Sequence, residues 1–578
     1  MLTCKICNVI ISASILIGFI AGPRLVRAQT PTSIRPAVSK FSKRPANTSA
    51  ETLLGERLFL ETRFAQFFAE HSNGDMNRPL VQGDPVVAKV WNPRAGVTYP
   101  SPFAGKSINC RSCHLVDEFT TLIGGMNRTY ADYRQRSPIP YRSQDTRTVT
   151  VRNTRSMVDD FTPRHPEVLL HGDGEFASVE SITKSVMTGR TFGWLSNEHD
   201  EAIHHIAKVI REDDGRDELG QQYGGSYAKL LLGSVDVTDQ FRISKDFRMD
   251  VKAAGDQQVV DEVARLIGVF LKSLQFEHTP QGVHSGSAYD MFLAKNNLPV
   301  LPDRGETDVE YSQRLLQMLE NLQNPRFILP YERWLRFHPH VLEFGEPELA
   351  GLKLFLRQGA APEESLTKGI PAASHSVSHA GNCFACHPAP DFTDVSFHNT
   401  GAAQEEFDAL HGPGSFAKIA VPSYEERKSH PDMYLPATPS HPHAAGLFRS
   451  LPAMSNASAT DLGMWNVFAN SDFPDVQSQM RSLLCGTEPC DPQVELPLTI
   501  ARFRTPTLRD TGHSWPYLHT GRMPTVEDVL HYYLRMSGMA REGKLRNGDP
   551  ELTRISLSEE DIVALAAFLR SLDEDYDN

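Results

Sequence analysis

The sequence predicts a mainly α-helical chain of two similar haem-binding halves, with long loop insertions and little β-structure. Three observations carry that reading. The pentapeptide C-x-x-C-H occurs twice, as Cys110-Arg-Ser-Cys-His114 and as Cys383-Phe-Ala-Cys-His387, and this spacing is the attachment signal for c-type haem. Helix-like segments recur around each copy in the same order. Strand-like patterning is low throughout.

The recurrence sets the elements. Gly55-Glu-Arg-Leu-Phe-Leu60 returns as Gly351-Leu-Lys-Leu-Phe-Leu356, each ahead of a C-x-x-C-H. Val269-Phe-Leu-Lys-Ser-Leu274 returns as Ala567-Phe-Leu-Arg-Ser-Leu572, each closing an amphipathic stretch such as Ile562, Leu565, Ala566 and Leu569. Opening helix, haem turn and closing helix are the ingredients of a cytochrome c-like domain. The expected organisation is a signal peptide over 1–28 and an N-terminal haem domain over 29–290. An inserted linker over 291–344 follows, then a C-terminal haem domain over 345–578 with an insertion at about 402–495. The linker is rich in Pro, Asn and charge, with a helical patch around residues 311–322, and reads as surface. The later insertion is long for a loop and is expected to carry short elements that shape access or partner contact. A third repeat pairs Gly174-Glu-Phe-Ala-Ser-Val-Glu180 with Gly521-Arg-Met-Pro-Thr-Val-Glu527 at a constant offset of 347. Ser178 and Thr525 read as helix N-caps, followed by acidic first-turn residues that suit a helix N-terminus.

Within the pentapeptides, Cys110 and Cys113, and likewise Cys383 and Cys386, are the thiols that add to haem vinyl groups. His114 and His387 are the imidazoles that ligate iron. A single copy would equally suit half a zinc site or a dithiol pair. Two copies behind an export signal point to two covalently bound haem c groups. That signal spans Met1 to Thr30, with Lys5, an apolar run from Val9 to Ala21, and a small-x-small cleavage site at Val26-Arg-Ala28. The run is short for a membrane span. A Sec-exported chain in the periplasm, without stable membrane insertion, is therefore expected, an uncleaved anchor being the alternative. Of eight cysteines, two leave with the signal and four hold haem. Cys485 and Cys490 remain for a local disulfide. A formal charge of −13 argues against nucleic acid and against a polybasic membrane patch.

The C-terminal third carries further motifs. Phe392-Thr-Asp-Val-Ser-Phe-His-Asn-Thr-Gly401 follows the second pentapeptide, and Phe503-Arg-Thr-Pro-Thr-Leu-Arg509 and Pro516-Tyr-Leu-His-Thr-Gly521 come later. In these residues the chain resembles the bacterial diheme cytochrome c peroxidases and MauG-type enzymes. The resemblance implies that the C-terminal haem is six-coordinate and passes electrons, while the N-terminal haem meets the oxidant. The residue fourteen after His519 is methionine in the peroxidases and tyrosine in MauG-type enzymes; here it is Tyr533. By resemblance, His387 and Tyr533 hold the second iron, with His531 and Met523 as nearby substitutes. His519 carries over as a candidate catalytic residue, and Ca2+ between the haems is a further implied cofactor.

The offset of 347 takes Tyr533 to Val186, which cannot ligate iron, and no histidine lies between His114 and His165. The first iron is therefore expected to be five-coordinate, with Met187, His165 and His171 as the residues able to defeat that. The chain also departs from the family. His171-Gly-Asp-Gly-Glu-Phe176 replaces W-D-G-R, and ungapped counting puts Ile182 and Phe192 at the pocket glutamine and glutamate. Peroxide cleavage needs a positioned acid/base. Glu175 and Glu180 are the candidates, each also readable as a solvated carboxylate at a helix start. Trp194 is a candidate electron relay or a structural tryptophan. The expected function is a periplasmic oxidoreductase that reduces H2O2, or uses O2, at the N-terminal haem. Electrons come from a small redox protein through the C-terminal haem. The apolar first pocket also resembles the diheme rubber oxygenases, which act on an apolar organic substrate. A non-catalytic electron-transfer cytochrome is the third reading.

Overall fold

The computed structural model describes residues 48–92, 97–101, 103–114, 136–159, 164–165, 168–335, 340–360 and 379–574. The expected signal at 1–28 lies outside them. The helices that position the site are α1 (Ala50–Phe59), α2 (Val179–Met187), α3 (His199–Glu212), α4 (Asp256–Ser273), α5 (Ala288–Lys295), α6 (Asp308–Glu320), α7 (Glu346–Leu356), α8 (Ala402–His411), α9 (Val526–Arg541) and α10 (Glu559–Arg570). Among the described residues, extended strand is confined to two antiparallel ladders, Lys89–Asn92 with Val97–Pro100 and Phe397–His398 with Phe503–Arg504. No helix among the described residues is long and apolar enough to cross a membrane.

The repeated segments make the same packing twice. In the first core α1 crosses α4, burying Leu54, Leu58 and Phe59 against Ile267 and Phe270. In the second α7 crosses α10, with the Phe355 and Phe568 rings 5.1 Å apart. Both crossings demand glycine. A Cβ on Gly55 would sit 2.1 Å from the Leu266 carbonyl oxygen, and one on Gly351 would sit 2.0 Å from that of Ala564. The expected caps also form: Ser178 starts α2 and Thr525 starts α9, each closing a reciprocal capping box.

A buried ion network knits the first core behind α1. Arg57 Nη2 donates to Asp213 Oδ2 at 2.9 Å, and Arg63 bridges Asp213 Oδ1 at 3.0 Å and Glu61 Oε2 at 2.6 Å. Tyr227 donates its hydroxyl to Glu61 Oε2 at 2.9 Å. Burial alone would push the Glu61 carboxyl up, but Arg63 outweighs it and brings the pKa to about 2.

The stretch read as a surface linker is different from that expectation. Tyr311, Leu315 and Leu319 of α6 are fully buried in the second core, and Phe292 of α5 stacks on Phe344 at 4.1 Å. Their spacing of four lays one apolar stripe along α6, while the flanking Pro, Asn and charged residues mark its turns. The later insertion packs a core of its own around Phe407, Phe416, Phe448, Trp465 and Met480. There the Arg427 guanidinium is buried and donates to the carbonyls of Phe468 (2.7 Å) and Ala469 (3.1 Å). Cys485 and Cys490 form the expected disulfide, with a Cα separation of 5.6 Å.

Candidate functional site

One cavity of about 1370 Å³ joins the two pentapeptides, larger than the roughly 300–1,000 Å³ of a single-ligand pocket. Cys110, Cys113, His114, Cys383, Cys386 and His387 all line it. Each pentapeptide is one short 3-10 turn, Cys110–Ser112 or Cys383–Ala385. The next histidine is drawn back by its own backbone N–H, at 2.9 Å from the Cys110 carbonyl and 2.8 Å from that of Cys383. His114 Nδ1 meets the Arg155 carbonyl at 3.1 Å and His387 Nδ1 meets that of Phe392 at 2.9 Å. A carbonyl can only accept, so Nδ1 carries the hydrogen and Nε2 keeps the lone pair, the tautomer a metal-ligating histidine uses. Burial pushes Cys110 and Cys383 up to about 12 and Cys113 up to about 11. Paired thiols held neutral, a lone-pair imidazole beside each pair, and a mostly apolar cavity fit two haem groups.

On the second side, α9 turns Tyr533 onto the cavity wall. Its hydroxyl has no hydrogen-bond partner among the described residues, and burial, then the nearby Cys386 and Cys383 thiols, push its pKa up. Adjacent Tyr532 is structural, donating to the Thr400 carbonyl at 2.7 Å. His531 faces the surface, where Nε2 meets Glu559 Oε2 at 2.8 Å; it does not line the cavity. The signature histidine His398 is clamped beside Cys386, with Nε2 2.7 Å from Asp394 Oδ2 and Nδ1 2.6 Å from Asp549 Oδ2. Against the cost of its burial, these carboxylates raise its pKa to about 12.

On the first side, Val186 lines the cavity from α2, with Ile182 and Phe192 beside it. Met187, one residue on, is fully buried in the first core. His165 is turned away to Asp391, 3.1 Å from Oδ2. His171 reaches the cavity but is engaged with Glu175 Oε1 at 2.9 Å.

A polar wall closes this side. Arg152 bridges Asp461 Oδ2 at 2.6 Å and Asp173 Oδ2 at 2.8 Å. Arg449 pairs with both Asp173 and Glu175. Burial pushes the Glu175 carboxyl up, but Arg449 outweighs it and holds the group ionised. His519 stacks on Phe503 with ring centroids 3.6 Å apart, and the Arg152 guanidinium also lies over that ring, 5.5 Å from its centroid. Burial drives the His519 pKa down to about 3, so this imidazole is neutral, and its Nε2 is shut from solvent without a partner among the described residues.

At three residues the structure separates the readings that the sequence leaves open. Glu175 is not a solvated helix-start carboxylate: its side chain is 8% exposed and ion-paired at the cavity. Glu180 is, pairing with Lys272 Nζ at 2.8 Å and lying off the cavity lining. Trp194 is buried in the first core, donating Nε1 to the Phe64 carbonyl at 3.1 Å, and it does not line the cavity. Arg152, Arg449 and Asp461 were not singled out by sequence, although they organise the polar wall. Arg449 and Asp461 come from the insertion, hundreds of residues from Glu175, with no local pattern to mark them. Four clusters of His, Cys, Asp and Glu stand out among the described residues, and each contains an imidazole, unlike the all-oxygen shell Ca2+ takes.

No protein-family model matches the chain. It is 26% identical over 192 residues to the cytochrome-c peroxidase IdrP2 of Denitromonas iodatirespirans, covering 33% of this chain and 36% of that protein. It is 34% identical over 80 residues to IdrP1 of the same organism, covering 14% and 20%. The match thus spans about a third or less of these curated relatives. Among solved structures, the diheme peroxidase BthA of Burkholderia thailandensis E264 aligns with a TM-score of 0.40 at 14% identity, covering 94% of this chain and 89% of that one. A MauG-like protein associated with microbial copper homeostasis aligns with a TM-score of 0.39 at 13% identity, covering 94% and 96%. Over the aligned segments the chain is thus similar in sequence to curated cytochrome-c peroxidases.

Proposed function

We propose that this chain is a periplasmic diheme oxidoreductase of the peroxidase type, reducing H2O2 on the Val186 side with electrons entering on the Tyr533 side from a small redox protein. The observation that carries the reading is an asymmetry in one cavity: at the matching position of the two helices it meets the Tyr533 phenol from α9 and the Val186 isopropyl group from α2. Cys110 with Cys113, and Cys383 with Cys386, would hold the haems as thioethers, with His114 and His387 as iron ligands and Tyr533 as a further ligand for the second iron. When bound, haem supplies an iron that exchanges electrons and, where one coordination position is open, meets a small oxidant.

The chain's own residues handle position and protons. Tyr533 is neutral where it stands, so its phenolate forms only when a cation offsets the burial. Ile182, Val186 and Phe192 keep the open side apolar. Glu175, ionised by Arg449, is the proton acceptor there. His171, whose pKa its carboxylate neighbours raise against burial, is the group that returns a proton. Moving a proton between the two peroxide oxygens needs such a pair.

The test combines ferric EPR of the purified protein with H2O2 turnover, using a reduced small cytochrome as donor. One high-spin and one low-spin haem, with rapid peroxide-dependent donor oxidation, are expected. Two low-spin haems that bind neither cyanide nor, after reduction, CO would overturn the reading. The apolar trio at Ile182, Val186 and Phe192 favours one second reading, an oxygenase acting on an apolar organic substrate. O2 uptake with a polyene, in the absence of peroxide turnover, would select it.

A further inference from the structure

Away from the haem cavity, a hairpin after α4 brings His278 and His284 side by side. The two residues form an antiparallel bridge, and their rings lie 4.3 Å apart. Asp159 faces them, its backbone N–H fixed to the Leu274 carbonyl at 2.9 Å. His284 Nδ1 lies 3.8 Å and His278 Nε2 4.0 Å from Asp159 Oδ2. Both distances are beyond hydrogen bonding. Neither Asp159 oxygen, nor His284 Nδ1, has a hydrogen-bond partner among the described residues. Yet Asp159 is 5% and His284 8% exposed. Burying such groups without partners is costly, so the arrangement asks for something between them.

The outer contacts say what. His278 Nδ1 meets the Phe276 carbonyl at 2.7 Å, and His284 Nε2 meets Asp391 Oδ1 at 3.3 Å. Both partners accept, so each imidazole carries its hydrogen on the outer nitrogen and turns a lone pair inward. Asp391 is itself held by Arg164 at 2.6 Å and His165 at 3.1 Å. Two inward lone pairs and a carboxylate, backed by a carboxylate and a carbonyl, are a metal-ligand set with its supporting shell. The two His-to-Asp separations stand somewhat wider than the roughly 3.4 Å edge of a tetrahedron with bonds of about 2.0–2.1 Å, and the three donor atoms all lie within 4.8 Å of one another, so the side chains would draw together around an ion.

We propose that Asp159, His278 and His284 bind a divalent transition ion of the zinc type, leaving a fourth position for water. Two imidazoles and one carboxylate suit Zn2+ and its neighbours, not Ca2+ or Mg2+. The site joins the segment after the first pentapeptide to the hairpin after α4, and through Asp391 to the loop after His387. It is a clasp between the haem-bearing halves, separate from the peroxide chemistry.

Chelator-washed holoprotein titrated with Zn2+ alone, with metal counted against haem iron, tests this. One zinc per two irons at a Kd of about 1 μM or tighter is expected. His278→Ala, at the more exposed ligand, and Asp159→Asn should each weaken binding by about 100-fold while the Soret and ferric EPR spectra stay unchanged. X-ray absorption at the zinc edge of the unmutated protein should show two imidazoles. Absence of stoichiometric zinc, undiminished affinity in a His278→Ala/His284→Ala double variant, or a zinc edge without imidazole scattering would each overturn the proposal.

Discussion

Val186 and Tyr533 occupy the same place, the eighth residue of α2 and of α9, in helices begun by the matching caps Ser178 and Thr525, and both face one cavity. At this shared position a duplicated helix thus presents a ligand atom on one side and none on the other. Replacing the phenol by Tyr533→Phe should convert the low-spin haem to high spin in ferric EPR. Val186→Tyr should do the reverse, adding a second low-spin signal and abolishing cyanide binding. A low-spin signal that survives Tyr533→Phe would remove this residue from the iron.

Glu175 is held ionised by Arg449, and the two are separable by mutation. Glu175→Gln keeps the shape but cannot accept a proton. It should lower peroxide kcat/KM by about 10²–10⁴ with optical spectra unchanged. Arg449→Ala leaves Asp173 and Glu175 buried with less compensation and should cost about 3–5 kcal/mol of stability, read by denaturant unfolding. Unaltered turnover in Glu175→Gln would dismiss it as the proton acceptor.

Trp194 makes a prediction of no effect. Trp194→Phe removes the hydrogen bond to the Phe64 carbonyl, worth about 0.5–1.5 kcal/mol, and leaves the cavity wall intact. Thermal stability should drop slightly while steady-state turnover and the rate of electron transfer between haems stay the same. A drop of tenfold or more in that rate would restore the residue as a relay.

Glu61 sets part of the acid limb. Its folded pKa of about 2 lies below its ordinary 4.5, so the unfolded chain binds the extra proton between those values. The stabilisation is present above pH 4.5 and is lost as the pH falls toward 2. Glu61→Gln should cost about 3–5 kcal/mol at neutral pH by breaking a buried pair. The melting curves of the variant and the unmutated protein should converge between pH 4.5 and 2. Parallel pH dependences would show that the acid limb lies elsewhere.

Much of this fold is legible in sequence because its signals are local. Haem turns are five residues long, caps reach three residues, and the Cys485–Cys490 bridge spans a short loop. The offset that led from Tyr533 to Val186 worked because both helices start at their caps. Where sequence reasoning failed, the deciding contacts were distant. Tyr311, Leu315 and Leu319 looked like a patch in a polar linker because the core covering them comes from α5, α7 and α10. Glu175 could also be read as solvated because Arg449 reaches it from an insertion with its own core. Trp194 could be read as a relay or as structural, and only its packing in the first core decides between them.

The glycine crossings at Gly55 and Gly351 have a consequence for how such a chain can vary. Each brings a first and a last helix to backbone contact, so the two ends of a haem-bearing half are pinned together whatever the intervening chain does. Length can then be added between them at small entropic cost, since closing a longer loop grows only logarithmically with its size. The segment that delivers Arg449 and Asp461 is such an addition. New chemistry at the cavity mouth can be acquired by lengthening the chain between fixed points, with the iron-binding frame left where it was.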